Sequence, residues 1–525
     1  MNIIILIVII LSAITISNFI SKLIPGISSS IVNTLVGLLI GFVPWINLNF
    51  PDLNSEIFMI LILAPLLFFD GQRTPMVQIS SDLKSIISNS FILVIFSATF
   101  LTIIIHYIFN ISWAFALIMA AIATPTDATG FNAVIQNRQV SSKIKNQLSH
   151  ESMFNDASGI ILLQAGTLWL STGKVAFNTN FKSFLIMTIG GIIIGLLLGN
   201  IVIIIRQSLI RSKANVYSSQ SMIYFLTPIL IYIIAESLHT SGIIAVVVAG
   251  LIHNSESNRS RFISSRQTIF ILQSISFITE ILNSTVFLLL GIYLSKFIST
   301  SLLNLSQSIY WIFIGIVIYI TLVILRFIYP NTKEKSYLKM IFSFGGVHGT
   351  VTLAMAFSVN HLLMSKGQFI GLLISEITVI LLSLLIPIII FKFILPIEPF
   401  SSAKEQRLQS IRSQAAQIGI NRIISEESTP KVKSMVLYDL RDQSKKNSVR
   451  DFLHQYHQFG FNRTRLDDLK SRERQNLMIL AFNAELQYLY NLKHKNPNDL
   501  ASINEIYSEI LYSELLMLDP QQRLV

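Results

Sequence analysis

The chain has 525 residues, 52% of them hydrophobic and only 13% charged, with a formal net charge of +11 at pH 7 and a mean hydropathy of +0.62. A soluble domain carries about 25% charged residues, so the composition excludes an ordinary globular protein and specifies a polytopic membrane protein. The basic residues flank apolar runs and gather in no single stripe, which argues against a nucleic-acid surface. The absence of cysteine excludes disulfides, thiolate catalysis and cysteine metal sites.

A transmembrane helix needs about 20 mostly apolar residues. That rule predicts thirteen spans, near 2–24, 28–46, 56–72, 84–109, 111–137, 145–171, 183–206, 220–237, 240–254, 266–295, 307–329, 336–363 and 367–397. The first apolar run, Ile3 to Ile20, lacks a basic leader and a small-residue cleavage site, and reads as a retained span. Alternate loops hold Lys22; Arg73 and Lys84; Arg138, Lys143 and Lys145; Arg206, Arg211 and Lys213; Arg259, Arg261 and Arg266; Lys333, Lys335 and Lys339. The intervening loops hold only Lys174, Lys182, Lys296 and Lys366. This asymmetry predicts the first set in the cytoplasm, the N-terminus outside and the C-terminus inside. Beyond about Ser401 the chain turns charged and mixed in sign, with helical spacing in Arg472–Leu492 and Leu500–Leu518, so a small helical cytosolic domain is expected. The alternative for this tail is partial disorder.

The fifth and sixth spans carry the polar residues that an apolar run tolerates least. Ala-Thr-Pro-Thr-Asp-Ala-Thr-Gly occupies 123–130. Pro125 removes a backbone donor and restricts Thr124, and Gly130 is expected to loosen the helix further. A helix broken in mid-membrane frees backbone groups, which is tolerated only where they line a cavity or are buried in protein. Asp127, Thr126 and Thr129 then offer hard oxygen ligands beside freed carbonyls; the alternative is an acid that caps a half-helix. On the next span, Glu-Ser-Met-Phe-Asn-Asp-Ala-Ser-Gly occupies 151–159. Glu151 and Asn155 share a helix face, as do Ser152 and Asp156, each pair being four residues apart. Ser152 and Asp156 can present oxygens to one ion, and an intramembrane acid defaults to function. Glu151, near the start of its helix, is equally readable as a solvated residue.

A second interruption is expected at Phe344-Gly-Gly-Val-His-Gly-Thr, where three glycines surround His348. Close packing of small residues is the alternative. Two interrupted spans in corresponding places of two halves point to a transporter site. Arg326, near the end of its span, either snorkels or neutralises an acid. Asp70 follows Leu-Leu-Phe-Phe, and Glu376 lies within the last span with no partner identifiable from sequence. An intramembrane hydrolase built on His348 and an aspartate lacks an accompanying serine or metal-ligand set, and nothing resembles His-Glu-x-x-His.

With Glu-Ser-x-x-Asn-Asp-Ala at 151–157 following a Thr-Asp in a Pro-broken helix, residues 1–398 resemble the sodium/proton exchangers of the cation/proton antiporter superfamily. They are most similar to its electroneutral Asn-Asp branch. The resemblance implies an all-α polytopic fold of about 13 helices with inverted repeats and two broken helices. It implies a dimer scaffold at about 1–80 and 183–297, a moving core at about 84–171 and 307–397, and leaves 399–525 as the cytosolic helical domain. By position, Asp156 and Asp127 would bind Na⁺ or H⁺, helped by Ser152, Asn155 and Thr126, while Glu151 and Arg326 would form a structural ion pair. The family commonly has Gly-x-Arg-Gly in the twelfth span, where this chain has His348, and an acid directly after Leu-Leu-Phe, where this chain has Phe69 and then Asp70. These two residues are therefore the modulatory candidates.

The expected function is secondary antiport of Na⁺ for H⁺ by alternating access, with proton and cation competing for Asp156 and Li⁺ or K⁺ as further cargo. The alternatives are a K⁺/H⁺ antiporter with the same mechanism and a non-transporting ion sensor signalling through its tail. No cofactor and no enzymatic activity are expected; the expected partners are the ions, the bilayer of a plasma membrane and a second copy of the chain.

Overall fold

The computed structural model describes residues 3–518 except 24–28, 51–54, 75–82, 136–137, 174–176, 212–216, 260–264, 302–304, 330–335, 360–362, 397–400, 445–449, 451–452, 454–467 and 496–498. Of the loop cations used for orientation, Lys174, Lys213, Arg261, Lys333 and Lys335 lie outside the described residues, as does the expected domain boundary at 398/399. The described residues are nearly all helical and divide into two compact units, Met1–Pro396 and Ile397–Val525.

In the first unit, α1 is Ile3–Leu23, α2 Ser29–Gly41 and α3 the short Pro44–Asn49. α4 runs through Ser55–Phe58, a π turn Met59–Leu63 and Ala64–Arg73. α5 is Leu83–Phe109, with a second π turn at Ser88–Ile92. α6 (Trp113–Ala123) and α7 (Ala128–Val134) are the two arms of a span bent by 57°. There follow α8 (Ser142–Thr172), α9 (Phe177–Arg211), α10 (Tyr217–Ser237), α11 (Gly242–Arg259), α12 (Ser265–Ser301) and α13 (Leu305–Ile328). A second interrupted span is α14 (Ser336–Phe344) with α15 (Thr350–Ser358), and α16 is Lys366–Ile394. Each expected span overlaps one of these helices or interrupted pairs, the second only as far as Gly41. Among the described residues, seven helices are long and apolar enough to cross a membrane by themselves, or eight with the bent pair counted as one.

Local chemistry explains the ends. Ser365 and Gln368 form a reciprocal cap at the start of α16. α8 starts on Ser141 and stops at Gly173, whose φ of 70° is the left-handed conformation that ends helices. The expected second span stops early, at Gly41, because Val43 is extended and Pro44 starts a new helix. Helices approach closely where glycine removes a side chain: α2 packs most extensively on α12, with Gly37 against the Leu288 carbonyl and Gly291 against that of Thr34. Between α4 and α11, a Cβ on Gly71 would come 2.9 Å from the Val247 carbonyl oxygen.

The two π turns were not foreseen. The second falls on Ser88-Asn89-Ser90, and its polar groups are used across the helix packing. The Ser90 hydroxyl donates to the Glu151 carbonyl (3.0 Å), Ser158 donates back to the Ser90 carbonyl (2.6 Å), and Tyr329 donates to that of Ser88 (2.9 Å). The wide turn thus fastens α5 to α8 and α13 at the level of the 151–159 motif.

The second unit holds α17 (Ser401–Ile424), α18 (Pro430–Gln443), α19 (Asp468–Lys495) and α20 (Leu500–Leu518). Ile411, Ile423, Val436, Phe482, Leu489 and Ile506 are among the residues of its own apolar core. At its rim Arg412 pairs with Glu509 (2.7 Å) and Arg474 with Asp439 (2.8 Å). Glu473 accepts the Thr429 N–H and hydroxyl, which caps α18 and lowers the Glu473 pKa. One acid lies inside: Glu485 on α19 is buried, its two oxygens accept no hydrogen bond among the described residues, and it faces Gly419 of α17.

Burial pushes the Glu485 pKa up to about 8, from an ordinary value of about 4.3. The folded unit therefore holds this proton more tightly than the unfolded chain. Its stabilising contribution is complete at acidic pH, declines as pH rises above about 4.3 and is lost once pH passes about 8. Hydrogen exchange of the α19 amides in the full chain should speed up between pH 5 and 8, beyond the intrinsic effect of pH. Glu485→Gln should flatten that trend, and an unchanged trend in the variant would assign the loss to another group.

Candidate functional site

The site is built where the two interrupted spans meet. Between α6 and α7 the backbone is non-helical over Thr124–Asp127, with Asp127 extended. Its N–H, which has no helical partner, donates to the Val347 carbonyl in the opposite break (2.7 Å). His348 Nδ1–H donates to the Pro125 carbonyl (2.8 Å), and the His348 N–H donates to the Ser383 hydroxyl of α16 (2.9 Å). Each break therefore satisfies backbone groups that the other leaves open, inside protein, as a bilayer demands.

Asp127 also caps α7. Its Oδ1 accepts the N–H (2.8 Å) and the hydroxyl (2.6 Å) of Thr129. The capping alternative is thus realised by one oxygen, while the other lies against Gly349, where a methyl group would overlap the carboxylate. Gly130 corrects an expectation: it does not loosen the helix but sits within α7. It is small because a Cβ there would come 2.8 Å from the Val347 side chain.

On α8, Asp156, Asn155 and Ser152 are buried. Asn155 Nδ2–H donates to Thr126 Oγ1 (2.8 Å), Thr126 and Ser152 hydroxyls are 3.3 Å apart, and the Ser152 hydroxyl donates to the Leu148 carbonyl (2.9 Å). Read in one sense, Asn155 to Thr126 to Ser152 to Leu148, this chain consumes both hydroxyl hydrogens. Its two hydroxyls leave lone pairs, not hydrogens, to whatever adjoins them. Asp156 Oδ1 and Asn155 Oδ1 are buried and accept nothing among the described residues. The surplus is of acceptors, and its complement is a cation, a proton or a water.

Thr126, Asp127, Thr129, Ser152 and Asp156 line one cavity with about 50 Å³ open to the centres of water molecules. Its other wall comes from α4 and α12 and includes Asp70 and Asn283. Sequence reasoning brought Asp127, Asp156, Ser152 and Thr126 forward; it missed Asn283, whose only signal is an amide in an apolar span. Among the described residues, no three His, Cys, Asp or Glu side chains converge closely enough to hold a metal ion. A cation here would meet hydroxyl and amide oxygens beside carboxylate. That suits a hard ion.

Glu151 and Arg326 meet behind this wall. Both are buried, 1% and 5% exposed, so Glu151 is not the solvated residue its position allowed, and Arg326 does not snorkel. The guanidinium engages both carboxylate oxygens, also donates to the Phe342 carbonyl (3.3 Å) and lies 4.5 Å over the Phe342 ring. Gly346 leaves room for it, since a side chain there would overlap the guanidinium. His348 is buried, turned to Pro125 and not to Asp127, and is not among the residues lining the cavity.

The profile of the transmembrane sodium/hydrogen exchangers matches residues 5–396. This chain belongs to the sodium/hydrogen exchanger family. Over 396 residues it is 30% identical to the sodium, potassium, lithium and rubidium/H⁺ antiporter of Bacillus subtilis strain 168, a match covering 70% of this chain and 57% of that protein. The chain thus spans little more than half the length of that relative and of its Bacillus pumilus counterpart. It is 25% identical over 517 residues to the uncharacterized Na⁺/H⁺ exchanger YjcE of Escherichia coli K12, covering 90% of this chain and 91% of that one. The fold is that of the sodium proton antiporter MjNhaP1 from Methanocaldococcus jannaschii, with a TM-score of 0.59 at 18% identity over 75% of this chain and 98% of that one. An exchanger-family fold places the chain among multi-pass membrane proteins, as its apolar helices do.

Two outcomes follow from this geometry. Removing one partner of a buried ion pair costs about 3–5 kcal/mol, so Glu151→Ala and Arg326→Ala should each lower the thermal midpoint clearly. The double variant should lose less than the two singles together; strictly additive losses in that cycle would mean the pair carries no coupling. Gly349→Ala should displace the Asp127 carboxylate and weaken cation binding in a folded protein. Gly367→Ala, with nothing within 4 Å of the added methyl, should leave binding unchanged in the same calorimetric titration.

Proposed function

We propose that this chain is a secondary antiporter that exchanges Na⁺ for H⁺ across a plasma membrane by alternating access. The observation that carries this reading is the acceptor-rich cavity at the crossing of the two breaks, where Asp156 and Asp127 adjoin hydroxyls whose hydrogens are already committed. A proton on Asp156 removes the charge that holds the cation, and a bound cation removes the proton's place, so each releases the other. Asn155 is neutral and holds Thr126, so the pair cycles a single carboxylate on α8, which favours one-for-one, electroneutral exchange. Glu151 and Arg326 serve as the structural ion pair that keeps α8, α13 and α14 in register.

The cavity has one wall from α6, α7, α8 and α15 and another from α4 and α12. In this reading the first set moves as a core against the second as a scaffold, the scaffold being shared with a second copy of the chain. The unequal distribution of loop cations supports an outside N-terminus and a cytoplasmic C-terminus, with the tail unit inside the cell. Asp70, on the scaffold wall of the same cavity, is the modulatory carboxylate in this reading. Li⁺ and K⁺ are further cargo candidates, because the Bacillus relatives are named for sodium, potassium, lithium and rubidium.

Purified protein in liposomes carrying a pH gradient and a pH dye should show proton flux on addition of Na⁺. Asp156→Asn should abolish this flux in a protein that still folds, and Asp127→Asn should impair it severely. Wild-type-like exchange from Asp156→Asn would falsify the mechanism, and a wild-type protein silent to Na⁺, Li⁺ and K⁺ would leave the ion-sensor reading in its place.

A further inference from the structure

The scaffold wall of the cavity is apolar except at two of its residues. Phe58, Leu63, Leu66 and Leu67 of α4 and Val286 of α12 line it, and the polar exceptions are Asp70 and Asn283. Asp70 is an acid near the end of α4. Asn283 is a half-buried neutral amide in the middle of a long apolar helix. Its side-chain carbonyl oxygen is shielded from solvent and accepts no hydrogen bond among the described residues. A buried acceptor left without a donor is costly, and an apolar residue of the same volume would avoid the cost. Asn283 Oδ1 shares this uncommitted state with Asp156 Oδ1 across the cavity, and with Asn155 Oδ1, which is not among the lining residues. All three are side-chain oxygens.

We infer that Asn283 is a specificity-determining residue of the exchange site, supplying from the scaffold a neutral oxygen that completes the coordination of the cation, directly or through its last water. This rests on the exchange reading of the cavity and adds to it the wall opposite the carboxylates. A neutral amide contributes a dipole, not a charge. It can therefore favour one cation size over another without adding a group that titrates. Its place on α12, and not on the helices that bear Asp127 and Asp156, means that sliding of one wall past the other makes and breaks this ligand. The cation is then held most completely when both walls close on it, and least when they part.

The test is proton flux in liposomes, titrated separately with Li⁺, Na⁺ and K⁺, for wild type, Asn283→Leu and Asn283→Asp. Losing one oxygen ligand to a charged partner is worth about a tenfold change in affinity. Asn283→Leu should raise the Na⁺ KM by about that factor, alter the order of preference among the three cations and leave the maximal rate largely intact. Its pH profile at saturating cation should match wild type, because no titrating group has been removed. Asn283→Asp should lower the Na⁺ KM and add a new pH-dependent step. A purely structural amide would instead reduce the maximal rate with KM and cation order unchanged, and that result overturns the inference. If Asn283→Leu does not reach the membrane folded, Asn283→Asp decides: an unaltered KM and cation order there also overturn it. Wild-type protein without cation-dependent flux would sink the exchange reading itself, whereas an active wild type with indifferent variants sinks only the role of Asn283.

Discussion

The bilayer supplies no hydrogen bonds, so a helix can be opened inside it only where protein closes the open groups. Here two openings close each other. The Asp127 N–H bonds the Val347 carbonyl, the His348 imidazole bonds the Pro125 carbonyl, and Ser383 of α16 takes the His348 N–H. Everything at the site depends on that crossing. It fixes the direction of the Asp127 carboxylate, brings Thr126 within reach of Asn155 and Ser152, and forces glycine at 349, where the carboxylate presses on the backbone. One oxygen of this acid ends a half-helix and the other lies against Gly349.

A second constraint is the separation of charge. Three carboxylates, Asp70, Asp127 and Asp156, line the cavity, while the Glu151–Arg326 pair is sealed behind it. Glu151 neutralises Arg326 before the guanidinium can reach the other acids, and the Phe342 carbonyl and ring occupy the rest of it. The pair thereby holds α8, α13 and α14 together without adding net positive charge to the site. The π turn on α5 contributes to the same assembly through Ser88 and Ser90, whose bonds run to helices distant in sequence. The tail unit obeys soluble-protein rules by contrast, with a single apolar core and paired charges at its rim. Its exception is Glu485, whose ionisation and burial are in direct conflict.

The sequence by itself determined which apolar runs are helical and where two of them are interrupted, and it brought forward most of the polar residues that line the cavity. These are local properties: apolar length sets a span, Pro125 and the Gly345–Gly349 cluster mark breaks, and four-residue spacing puts Ser152 and Asp156 on one face. Only the tertiary structure decided what those residues face. Gly130 reads as a helix breaker and is a packing glycine under Val347. Glu151 reads equally as solvated or paired, and 175 residues separate it from the arginine that settles the matter. His348 reads as a replacement for the family's arginine, and the structure shows its imidazole bonded to the Pro125 carbonyl. Asn283 does not read as a site residue at all, because an amide in an apolar run acquires meaning only from the wall opposite. Periodicity and composition report on a residue's own helix, whereas partners across a crossing depend on how the helices pack, which no local pattern encodes.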